Sequence, residues 1–506
     1  MLLGPCRCVH PAAMSAQRAL ARLFSSRSVV DVLESRGMVH AMTSRALKEH
    51  LSTTDDLGHH VSRTIYTGVD PSAASLHVGN LLPLVALLHC AMHGHKALVL
   101  IGGATGAIGD PSGRQSERSA LASDQLKRNV DNIRAQMYQF FRNAAAYLAR
   151  RNVLCAKPHD FISKGCHAQD EPLFQDTLDV QLINNLDWFR HIHFLDFLSS
   201  VGRFARVNDM LARDSVKSRL TSQNGATTSG LSFTEFSYQL MQAYDFSHLH
   251  DKKACSVQLG GSDQMGNIMA GIDLIRRQRA EQEKGAANDP SMRADPAYGL
   301  TLPLLTTASG AKFGKSAGNA VWVSRSMLSD LDFYQYFVRS SDADVERYLL
   351  SLTLMSHEEI AQVMAQHAED KSKRFAQTRL ADEMTELVRG HEACQRAQLA
   401  TKLLFNTDVQ GLTLDQVAFA FQDDPRLVYL DEEPSGIAAL AADIGLLPSR
   451  SEARRLVQKG GGLYVNGVQV TDVHAKLERQ HMIQDRIIVM RAGKSNHKIV
   501  VCPPVA

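Results

Sequence analysis

Short apolar runs alternate with longer helical stretches through the first part of the chain. Thr64–Val69, Ala97–Ile101 and Ser256–Leu259 are predicted strands because each is a short, mostly apolar run. Helical apolar spacing follows over Leu76–His93, and again in a stretch that ends at Ile275. Strands that alternate with helices predict an α/β fold with a parallel sheet, and ligand sites at the carboxyl ends of its strands.

The pattern changes after the last of these strands. Arg276–Tyr298 is polar and irregular, which predicts a surface insertion. Helical spacing dominates from Leu331 to about Gln422, and the acidic segment Asp423–Ser435, which holds two prolines, is a predicted linker. We therefore predict five segments: an N-terminal targeting segment at 1–28, an α/β body at 29–330, a helical domain at 331–422, a linker at 423–435 and a small basic domain at 436–506.

Composition excludes several classes of protein and reveals an uneven charge. The 506 residues are 44% hydrophobic and 21% charged, which argues against disorder, collagen and a disulfide scaffold. Apolar runs stay well short of the ~20 residues that a membrane span needs, so no transmembrane helix is predicted. Residues 436–506 hold ten Lys and Arg against five Asp and Glu, which predicts a module that binds a polyanion. The eight cysteines are widely spaced, which favours buried thiols in a reducing compartment over metal ligands or disulfides.

The N-terminal segment has the composition of a targeting sequence. Met1–Ser28 is rich in Arg, Ser, Ala and Leu and contains no acidic residue. A helix there would place Leu20, Leu23 and Phe24 on one face, with Arg18 and Arg22 opposite. This amphipathic pattern predicts a mitochondrial transit peptide and a location in the mitochondrial matrix, with a disordered basic tail as the alternative.

The turns that follow the predicted strands carry the candidate chemistry. His77-Val78-Gly79-Asn80 opens a helix, whose N-terminus offers unpaired N–H groups to a phosphate. Gly79 lets a flat base approach the backbone, although an ordinary strand–helix turn would look similar. Four glycines in eight residues begin the stretch Gly102–Arg114, where Asp110 could bind an ammonium group. This stretch matches neither the dinucleotide fingerprint nor a P-loop, and Arg114 and Arg118 are either anion ligands or solvated surface arginines.

A polar stripe follows on a predicted helix. Tyr238, Gln242 and Asp245 are spaced i, i+4 and i+7, so they share one face, which is either a pocket wall or an exposed polar surface. After the third strand, Asp263 could accept a hydrogen bond from a ribose hydroxyl. Lys312–Ser316 ends like a P-loop but has the wrong glycine spacing, so we interpret it as a loop whose two lysines suit a polyphosphate.

Five of these stretches together resemble one protein family. YTGVDPSAASLHVGN, GGATGAIGDPSGR, FTEFSYQLMQAYDF, QLGGSDQMGNI and KFGKS occur in this order across roughly residues 35–325. They resemble class I aminoacyl-tRNA synthetases, and specifically tyrosyl-tRNA synthetases of the bacterial and mitochondrial type. The resemblance implies a Rossmann-like parallel-sheet catalytic domain at 29–330, an all-helical anticodon-binding domain at 331–422 and a small α+β RNA-binding module of the S-four type at 436–506.

The resemblance also implies a role for each matching residue. Phosphate contacts and catalysis fall to Ser72, His77, Asn80, Arg114, Arg118, Lys312 and Lys315. Tyrosine binding falls to Tyr66, Asp110, Tyr238, Gln242, Asp245 and Gln258, and ATP binding to Gly68, Asp70, Gly79, Gly261, Asp263, Gln264 and Lys315. Two departures from the family pattern are Asn80, where a second histidine is usual, and the loop sequence Lys-Phe-Gly-Lys-Ser, which keeps both lysines.

The basic tail supplies an RNA-binding candidate. Ser449 and Glu452 form a capping-box pattern at the start of a helix, and Asn466-Gly467 predicts the turn of a β-hairpin. The resemblance to the S-four module implies RNA contacts at Arg450, Arg454, Arg455 and Lys459.

A tyrosine–tRNA ligase is the implied function, with ATP, L-tyrosine and tRNA(Tyr) as ligands and Mg²⁺ carried in by ATP instead of by a dedicated metal site. The resemblance further implies a homodimer through the segment near Phe194–Val216 and no membrane association. One alternative is a protein that binds tRNA or intron RNA on the same scaffold, with lost or secondary catalysis. A tryptophanyl enzyme shares the scaffold, but the polar stripe of Tyr238, Gln242 and Asp245 suits a phenol better.

Overall fold

The chain forms two compact units. The computed structural model describes residues 28–56, 58, 60–112, 122–153, 178–213, 216–217, 231–282, 295–310, 313–316, 319–405, 413–434, 436–458, 462–479, 482–493 and 496–504. The first unit comprises the chain up to Ser324 together with Ser340–Glu383. The second comprises Arg325–Arg339 and Met384–Ala506.

A six-stranded sheet is the centre of the first unit. Its strands are β1 (Ala41–Met42), β2 (Thr64–Val69), β3 (Lys96–Ile101), β4 (Val180–Asn184), β5 (Cys255–Gly261) and β6 (Tyr298–Leu302), in the order β1–β6–β5–β2–β3–β4. Only β1 runs antiparallel to its neighbour, so the predicted parallel sheet is confirmed. Because β2 lies between β3 and β5, the direction in which strands are added reverses there, and a crevice opens at the carboxyl ends of β2 and β5.

Helices flank this sheet, and further helices follow it in the described chain as far as Gln458. The first ten are α1 (Val29–Ser35), α2 (Ala46–His50), α3 (Leu81–Met92), α4 (Thr105–Ile108), α5 (Ser123–Arg150), α6 (Leu186–Phe189), α7 (Phe194–Ser200), α8 (Val207–Leu211), α9 (Phe233–Lys253) and α10 (Met265–Gln282). The others are α11 (Asp330–Val338), α12 (Val345–Leu352), α13 (His357–Glu369), α14 (Phe375–Arg389), α15 (His391–Phe405), α16 (Leu414–Ala420), α17 (Ile437–Asp443) and α18 (Arg450–Gln458). Single 3₁₀ turns cover Val78–Asn80, Gly202–Phe204, Ser262–Gln264 and Lys371–Lys373.

Two of the predicted local elements differ from their predicted extents. The helix predicted over Leu76–His93 begins as a 3₁₀ turn at Val78 and ends at Met92, and α3 is apolar on nearly every side because it is buried on nearly every side. The predicted irregular insertion at Arg276–Tyr298 is wrong at both ends. Helix α10 continues to Gln282, and β6 begins at Tyr298.

The helices after the sheet do not all belong to one helical domain. α12 and α13 lie in the first unit. There the buried guanidinium of Arg36 contacts the end of α12. Arg36 donates hydrogen bonds to the carbonyl oxygens of Leu350, Thr353 and Met355, at 2.9, 3.1 and 2.5 Å, and these carbonyls end α12. A residue just after α1 therefore contacts a helix more than 300 positions away. The predicted boundary at 330 lies within Arg325–Arg339, which belongs to the second unit, and the chain returns to the first unit at Ser340.

The second unit is organised around a smaller sheet. Its strands are β9 (Leu427–Tyr429), β10 (Leu463–Val465), β11 (Val468–Gln469), β12 (Ile487–Ala492) and β13 (Asn496–Val501), in the order β11–β10–β12–β13–β9. Ile487 and Val489 pack on one side with residues of α11, α15 and α16, while Ile488 and Met490 pack on the other side with α17 and α18. Since both faces of the sheet are covered, the helical segment and the small domain share this sheet as a common core.

Several predictions for the tail are confirmed, and one is corrected. Glu452 donates its backbone N–H to the Ser449 hydroxyl at the start of α18. Asn466 and Gly467 both have positive φ, 49° and 81°, between the paired residues of β10 and β11, as a two-residue hairpin turn requires. The predicted linker 423–435 contains β9, which pairs in parallel with β13, so these apolar residues are part of the sheet.

The remaining sequence predictions fall partly outside the described residues. Cys90, Cys255, Cys394 and Cys502 are buried free thiols, as predicted, and the other four cysteines lie outside the described range. The predicted transit peptide also lies outside it, except for Ser28, whose hydroxyl caps α1. Within the described part of the chain, every helix is too short or too polar to cross a bilayer.

The substitution Gly271→Ala tests how closely α9 and α10 pack against each other. A Cβ atom on Gly271 would lie 2.8 Å from Cδ1 of Phe246. We expect overpacking to lower the stability of the first unit by about 1–3 kcal/mol, against the helix preference of alanine. Gly266→Ala in the same helix is the control, because its Cβ would meet only Cδ of Arg213, at 3.9 Å. Thermal unfolding should show a lower midpoint for Gly271→Ala alone; equal midpoints would contradict the packing account.

Candidate active site

A cleft of about 400 Å³ lies at the carboxyl ends of β2 and β5. It brings together the predicted residues Tyr66, Gly68, Asp70, Ser72, His77, Gly79, Asn80, Asp110, Tyr238, Gln242, Asp245, Gln258, Gly261, Asp263 and Gln264. These residues come from four separate stretches of sequence. Their convergence follows from the parallel sheet, because the carboxyl ends of neighbouring strands meet at one edge.

Three buried polar atoms of the cleft have no hydrogen-bond partner within the described residues. They are the hydroxyl of Tyr66 and the side-chain oxygens of Gln242 and Gln258. The Tyr66 ring packs beside Phe246, with centroids 5.3 Å apart, so the orientation of its hydroxyl is fixed. An unpaired buried polar atom costs about 1–3 kcal/mol, so a ligand that supplies partners here recovers that free energy.

Asp245 is a buried acid with two dedicated donors. Asn185 donates to its Oδ2 at 3.0 Å, and the indole N–H of Trp188 donates to its Oδ1 at 2.9 Å. Burial raises the pKa of Asp245 to about 8, although both hydrogen bonds oppose the shift. Burial, together with the nearby Asp245, also raises the pKa of Tyr66, so its phenol keeps its proton.

A chain of hydrogen bonds leads from Asp245 to the far side of the cleft. Asn185 also donates to the Thr105 hydroxyl at 3.1 Å, and Thr105 donates to Oδ1 of Asp70 at 2.8 Å. The other oxygen of Asp70 accepts from the Tyr238 hydroxyl, at 2.8 Å. The ends of β2 and β4, the start of α4 and the middle of α9 are therefore fixed relative to one another.

A second group of polar side chains lines the opposite wall. Gln264 donates to Oδ2 of Asp110 at 2.8 Å and accepts from Gln242 at 3.1 Å. The backbone N–H of Ser112 holds the other oxygen of Asp110, at 2.9 Å. Asp110 and the free oxygen of Gln242 are thus acceptors, which suits them to a ligand with several N–H donors, such as an ammonium group.

The predicted phosphate-binding turn has a defined shape. Nδ1 of His77 accepts from the N–H of Gly79 at 3.1 Å, and the Asn80 side chain accepts from the N–H of His77 at 3.0 Å. The Asn80 side chain therefore acts in this turn as a hydrogen-bond acceptor, through its amide oxygen. A Cβ on Gly79 would lie 2.9 Å from the His77 ring, so glycine is needed for this turn.

The lysine loop approaches this turn directly. Strands β7 (Lys315–Ser316) and β8 (Asn319–Ala320) form a small hairpin, and the segment that follows it contacts the turn through an isolated β-bridge between His77 and Trp322. The N–H of Val78 donates to the carbonyl of Val321 at 3.0 Å. Gly314 has φ of 83°, and a Cβ there would lie 2.8 Å from Cγ2 of Val78. Phe313, part of the departure from the family pattern, packs against Tyr348 with centroids 4.6 Å apart and rings tilted by 51°, and so anchors the loop.

Charge in the described part of the cleft is mainly negative. Asp70, Asp110 and Asp263 line it together with Asp245, whose raised pKa of about 8 keeps it largely protonated, and His77 is the one potentially cationic side chain among the described lining residues. The predicted cations Lys312, Arg114 and Arg118 lie outside the described range, as do the side chains of Lys315 and Ser316. The described wall therefore favours an ammonium group, and a polyphosphate here requires added positive charge.

Three of the four predicted RNA-binding residues lie on α18 in the second unit. Arg450, Arg454 and Arg455 are exposed there, and Lys459 lies outside the described residues. Arg450 forms an ion pair with Asp443 at 3.2 Å, and Arg455 pairs with Glu452 at 2.5 Å. Exposed pairs of this kind are worth little, so either arginine can exchange its partner for a phosphate.

Sequence reasoning missed the residues that support Asp245. Asn185 and Trp188 come directly after β4, a strand that was not predicted. The signal existed, because Val180–Asn184 is a short, mostly apolar run that ends in Asn184 and is followed by a second asparagine, Asn185. Thr105 was likewise hidden inside the glycine-rich stretch. Within the described range, no group of three or more His, Cys, Asp or Glu side chains is arranged to hold a metal ion.

Comparison with known proteins defines the class. Residues 59–406 match the family described as tRNA synthetases class I (W and Y), and residues 416–500 match the tyrosine–tRNA ligase SYY-like C-terminal domain. Together with the parallel sheet and its switch-point cleft, these matches define a class I aminoacyl-tRNA synthetase.

The relatives narrow this class to one family. The chain is 38% identical over 477 residues to a tyrosine–tRNA ligase of Roseiflexus castenholzii, covering 94% of this chain and 99% of the relative. A solved mitochondrial tyrosyl-tRNA synthetase of Aspergillus nidulans, C-terminally truncated, is 31% identical with a TM-score of 0.63 over 78% of this chain and all of that one. The Coccidioides posadasii counterpart is 34% identical with a TM-score of 0.59, over 76% of this chain and 97% of that one. The chain belongs to the tyrosine–tRNA ligase family.

Asp245→Asn tests the electrostatic state of the buried acid. An amide presents one oxygen and one NH₂, so one of the donors Asn185 and Trp188 is left unpaired, at a cost of about 1–3 kcal/mol. The carboxyl has its pKa raised from 3.8 to about 8, so the wild-type chain loses stability as pH rises through that window, because only the unfolded state ionises. The uncharged variant lacks this loss.

We therefore expect the variant to be less stable than wild type near pH 5, with the difference shrinking as pH rises towards 8. Unfolding midpoints of the two proteins, measured side by side across this range, give the answer. A difference that stays constant or grows with pH would contradict a buried, largely protonated Asp245.

Proposed function

We propose that this chain activates L-tyrosine with ATP, forming tyrosyl-adenylate and pyrophosphate, and then transfers the tyrosyl group to the 3′-terminal ribose of tRNA(Tyr) in mitochondrial translation. The observation that carries this proposal is the unpaired Tyr66 hydroxyl in the cleft that Asp245 also lines. A phenol O–H can donate to one of these groups and accept from the other. The side chain of tyrosine is the amino-acid side chain that fits this pair.

The rest of the cleft suits the other groups of the substrates. Asp110, Tyr238 and Gln242 would hold the tyrosine ammonium, since all three line the cleft and carry side-chain oxygens that can accept hydrogen bonds. Asp70, Gly79, Gly261, Asp263 and Gln264 would bind the nucleoside of ATP, with Gly68 and Gln258 completing the pocket. Ser72, His77 and Asn80 would meet the phosphates at the start of the helix that the 3₁₀ turn introduces.

Activation is then a matter of positioning and charge. The tyrosine carboxylate attacks the α-phosphorus of ATP in line, forming the acyl–phosphate bond as the bond to pyrophosphate breaks. Negative charge grows on the phosphate oxygens during this step, and His77, Lys312, Lys315, Arg114 and Arg118 would stabilise it. No protein nucleophile is required, because the substrate carboxylate supplies the attacking oxygen.

Mg²⁺ is proposed to enter the cleft with ATP, as the family resemblance implies. Mg²⁺ bound to the phosphates would neutralise charge on the departing pyrophosphate. Transfer follows when the ribose hydroxyl of tRNA attacks the carbonyl carbon of tyrosyl-adenylate and AMP leaves.

The second unit is proposed to bind the tRNA. Arg450, Arg454, Arg455 and Lys459 would contact its phosphates, and the helical segment 331–422 would contact the anticodon arm. The mitochondrial assignment rests on the composition of residues 1–28 and on the names of the two fungal relatives. A fusion of residues 1–28 to a fluorescent protein should enter mitochondria if it is right.

Exposed apolar side chains support the proposed homodimer. Phe194, Leu195 and Val207 are 65%, 76% and 59% exposed on α7 and α8, inside the segment that the family resemblance implies. Such a run of exposed apolar residues is typical of a protein–protein interface.

The direct test is exchange of labelled pyrophosphate into ATP. We expect exchange that depends on added tyrosine and that neither tryptophan nor phenylalanine supports at equal concentration. Exchange that depends on tryptophan would identify the chain as a tryptophanyl enzyme instead. A complete lack of exchange, with tRNA still bound, would favour an RNA-binding protein without catalysis.

The substitution Tyr66→Phe tests which residue recognises the phenol of the substrate tyrosine. The change removes one hydroxyl and keeps the ring that packs on Phe246. We expect the ratio of kcat/KM for tyrosine over phenylalanine to fall about tenfold or more, because a buried site with unpaired polar groups disfavours phenylalanine. The ratio is measured by pyrophosphate exchange. A ratio equal to that of wild type would leave Asp245 as the sole reader of the phenol.

Leu195→Asp tests the dimer. A carboxylate in the middle of a buried apolar interface should shift the protein from dimer to monomer at micromolar concentration, as measured by sedimentation velocity. Val468→Asp is the matched control, because Val468 is also 71% exposed but lies in the second unit. If both variants sediment like wild type, α7 does not form the interface.

A further inference from the structure

One face of α5 contacts the loop that joins β2 to the His77 turn. Asn129 and Gln136 lie seven residues apart, two helical turns, on the face that also buries Ile133 and Phe140. Both amides bond to the backbone or hydroxyl groups of residues 71–76. This loop carries Asp70 at one end and His77 at the other, so its shape sets the distance between two proposed ATP-binding groups.

Gln136 makes most of these contacts. Its Oε1 accepts from the N–H of Leu76 at 2.9 Å and from the Ser75 hydroxyl at 3.1 Å. Leu76 and Ser75 are 2% and 3% exposed, so water has little access to replace this acceptor. The residue that follows is His77. One side-chain oxygen on α5 therefore fixes the backbone immediately before the phosphate-binding turn.

Asn129 holds the other end of the same loop. It is buried, and its Nδ2 donates to the carbonyl of Pro71 at 3.0 Å. Its own oxygen accepts from Gln125 at 2.8 Å, which sets the orientation of the amide. Pro71 directly follows Asp70. The loop is therefore held at both ends, next to Asp70 and next to His77.

Ser75 and Leu76 also contact the segment that follows the lysine loop. The backbone N–H of Ser324 donates to the Ser75 hydroxyl at 3.0 Å, and that of Val323 donates to the Leu76 carbonyl at 2.8 Å. Gln136 thus lies at a junction of three segments: α5, the approach to His77 and the exit of the lysine loop. A change at Gln136 alters how the two proposed phosphate-binding segments face each other.

We propose that Gln136 is a positioning residue for ATP in the activation step, with Asn129 supporting it at the other end of the loop. It touches no substrate itself and acts through Leu76 and Ser75 on His77. The inference rests on the proposed function. Because its contacts are with the ATP side of the cleft, its loss should affect ATP and the chemical step but not tyrosine binding.

Gln136→Met removes the acceptor at nearly constant shape, and Gln136→Glu restores an acceptor for Leu76 and Ser75. Tyrosine-dependent pyrophosphate exchange by the full chain gives KM for ATP, KM for tyrosine and kcat. For Gln136→Met we expect kcat/KM for ATP to fall about tenfold, the effect of one lost buried hydrogen bond, with KM for tyrosine within about twofold of wild type. Gln136→Glu should recover most of the loss.

Gln139→Met is the matched control. Gln139 lies one turn further along α5 and bonds to Asn143 of the same helix, at 2.6 Å, so the same substitution there should leave the kinetics unchanged. A Gln136→Met enzyme with wild-type KM for ATP and wild-type kcat would overturn the inference, as would equal losses for ATP and tyrosine, which indicate general unfolding. If Gln136→Met fails to fold, a Gln136→Glu enzyme with impaired ATP kinetics would overturn it, and one with near wild-type kinetics would support it.

These outcomes are distinct from failure of the proposed function. If wild type shows no tyrosine-dependent exchange, the function itself is wrong, and the inference with it. If wild type is active and His77→Ala leaves KM for ATP and kcat unchanged, the assignment of the turn is wrong. If wild type is active and His77→Ala is impaired, the outcomes given above for the Gln136 variants refute the role of Gln136 without touching the proposed function.

Discussion

Asp245 is a fully buried acid, and its burial constrains the residues around it. An isolated carboxylate in this position would be too costly, so the fold must supply donors or keep the group protonated. Asn185 and Trp188 supply two donors, and Asn185 is itself held by the backbone N–H of Ala104 at 2.7 Å. The carboxyl ends of β3 and β4 are thereby tied to the middle of α9. The rest of the cleft is assembled on this fixed arrangement.

The same network links the two halves of the proposed chemistry. Thr105 accepts from Asn185 and donates to Asp70, and Asp70 accepts from Tyr238. A group that would read the tyrosine side chain is therefore connected by hydrogen bonds to a group that would contact ATP. The His77 turn is more independent, because α5 and the segment after the lysine loop hold it from outside the network. Preorganised polar groups of this kind are what a reaction without a protein nucleophile requires.

Much of this arrangement could be predicted from the sequence, because local patterns carry it. The strands that end in glycine turns, the helix opened by His77 and the polar stripe of α9 are all short-range signals, and parallel strands bring them to one edge. What could not be predicted depends on distant contacts. Nothing near Arg36 in sequence indicates that its guanidinium contacts the carbonyl groups at the end of α12. The predicted boundaries at 330 and 423–435 therefore differ from the compact units.

Asn185 and Trp188 are an intermediate case. Their position after a strand could have drawn attention to them, but their role depends on Asp245, which lies 60 positions from Asn185 in the chain. Sequence reasoning named the acid and not its partners, since pairing a buried charge is a property of the folded interior. Gln136 shows the same limit, because an amide on an otherwise apolar helix face is only meaningful once the facing loop is known.

The central claim is that Tyr66 and Asp245 together recognise the phenol of tyrosine. A crystal structure of this chain with a non-hydrolysable tyrosyl-adenylate analogue tests it most directly. The account predicts a phenol oxygen within about 2.6–3.2 Å of both the Tyr66 hydroxyl and a carboxyl oxygen of Asp245, with the ammonium beside Asp110. A phenol that contacts neither group, or an analogue bound outside the cleft, would contradict it.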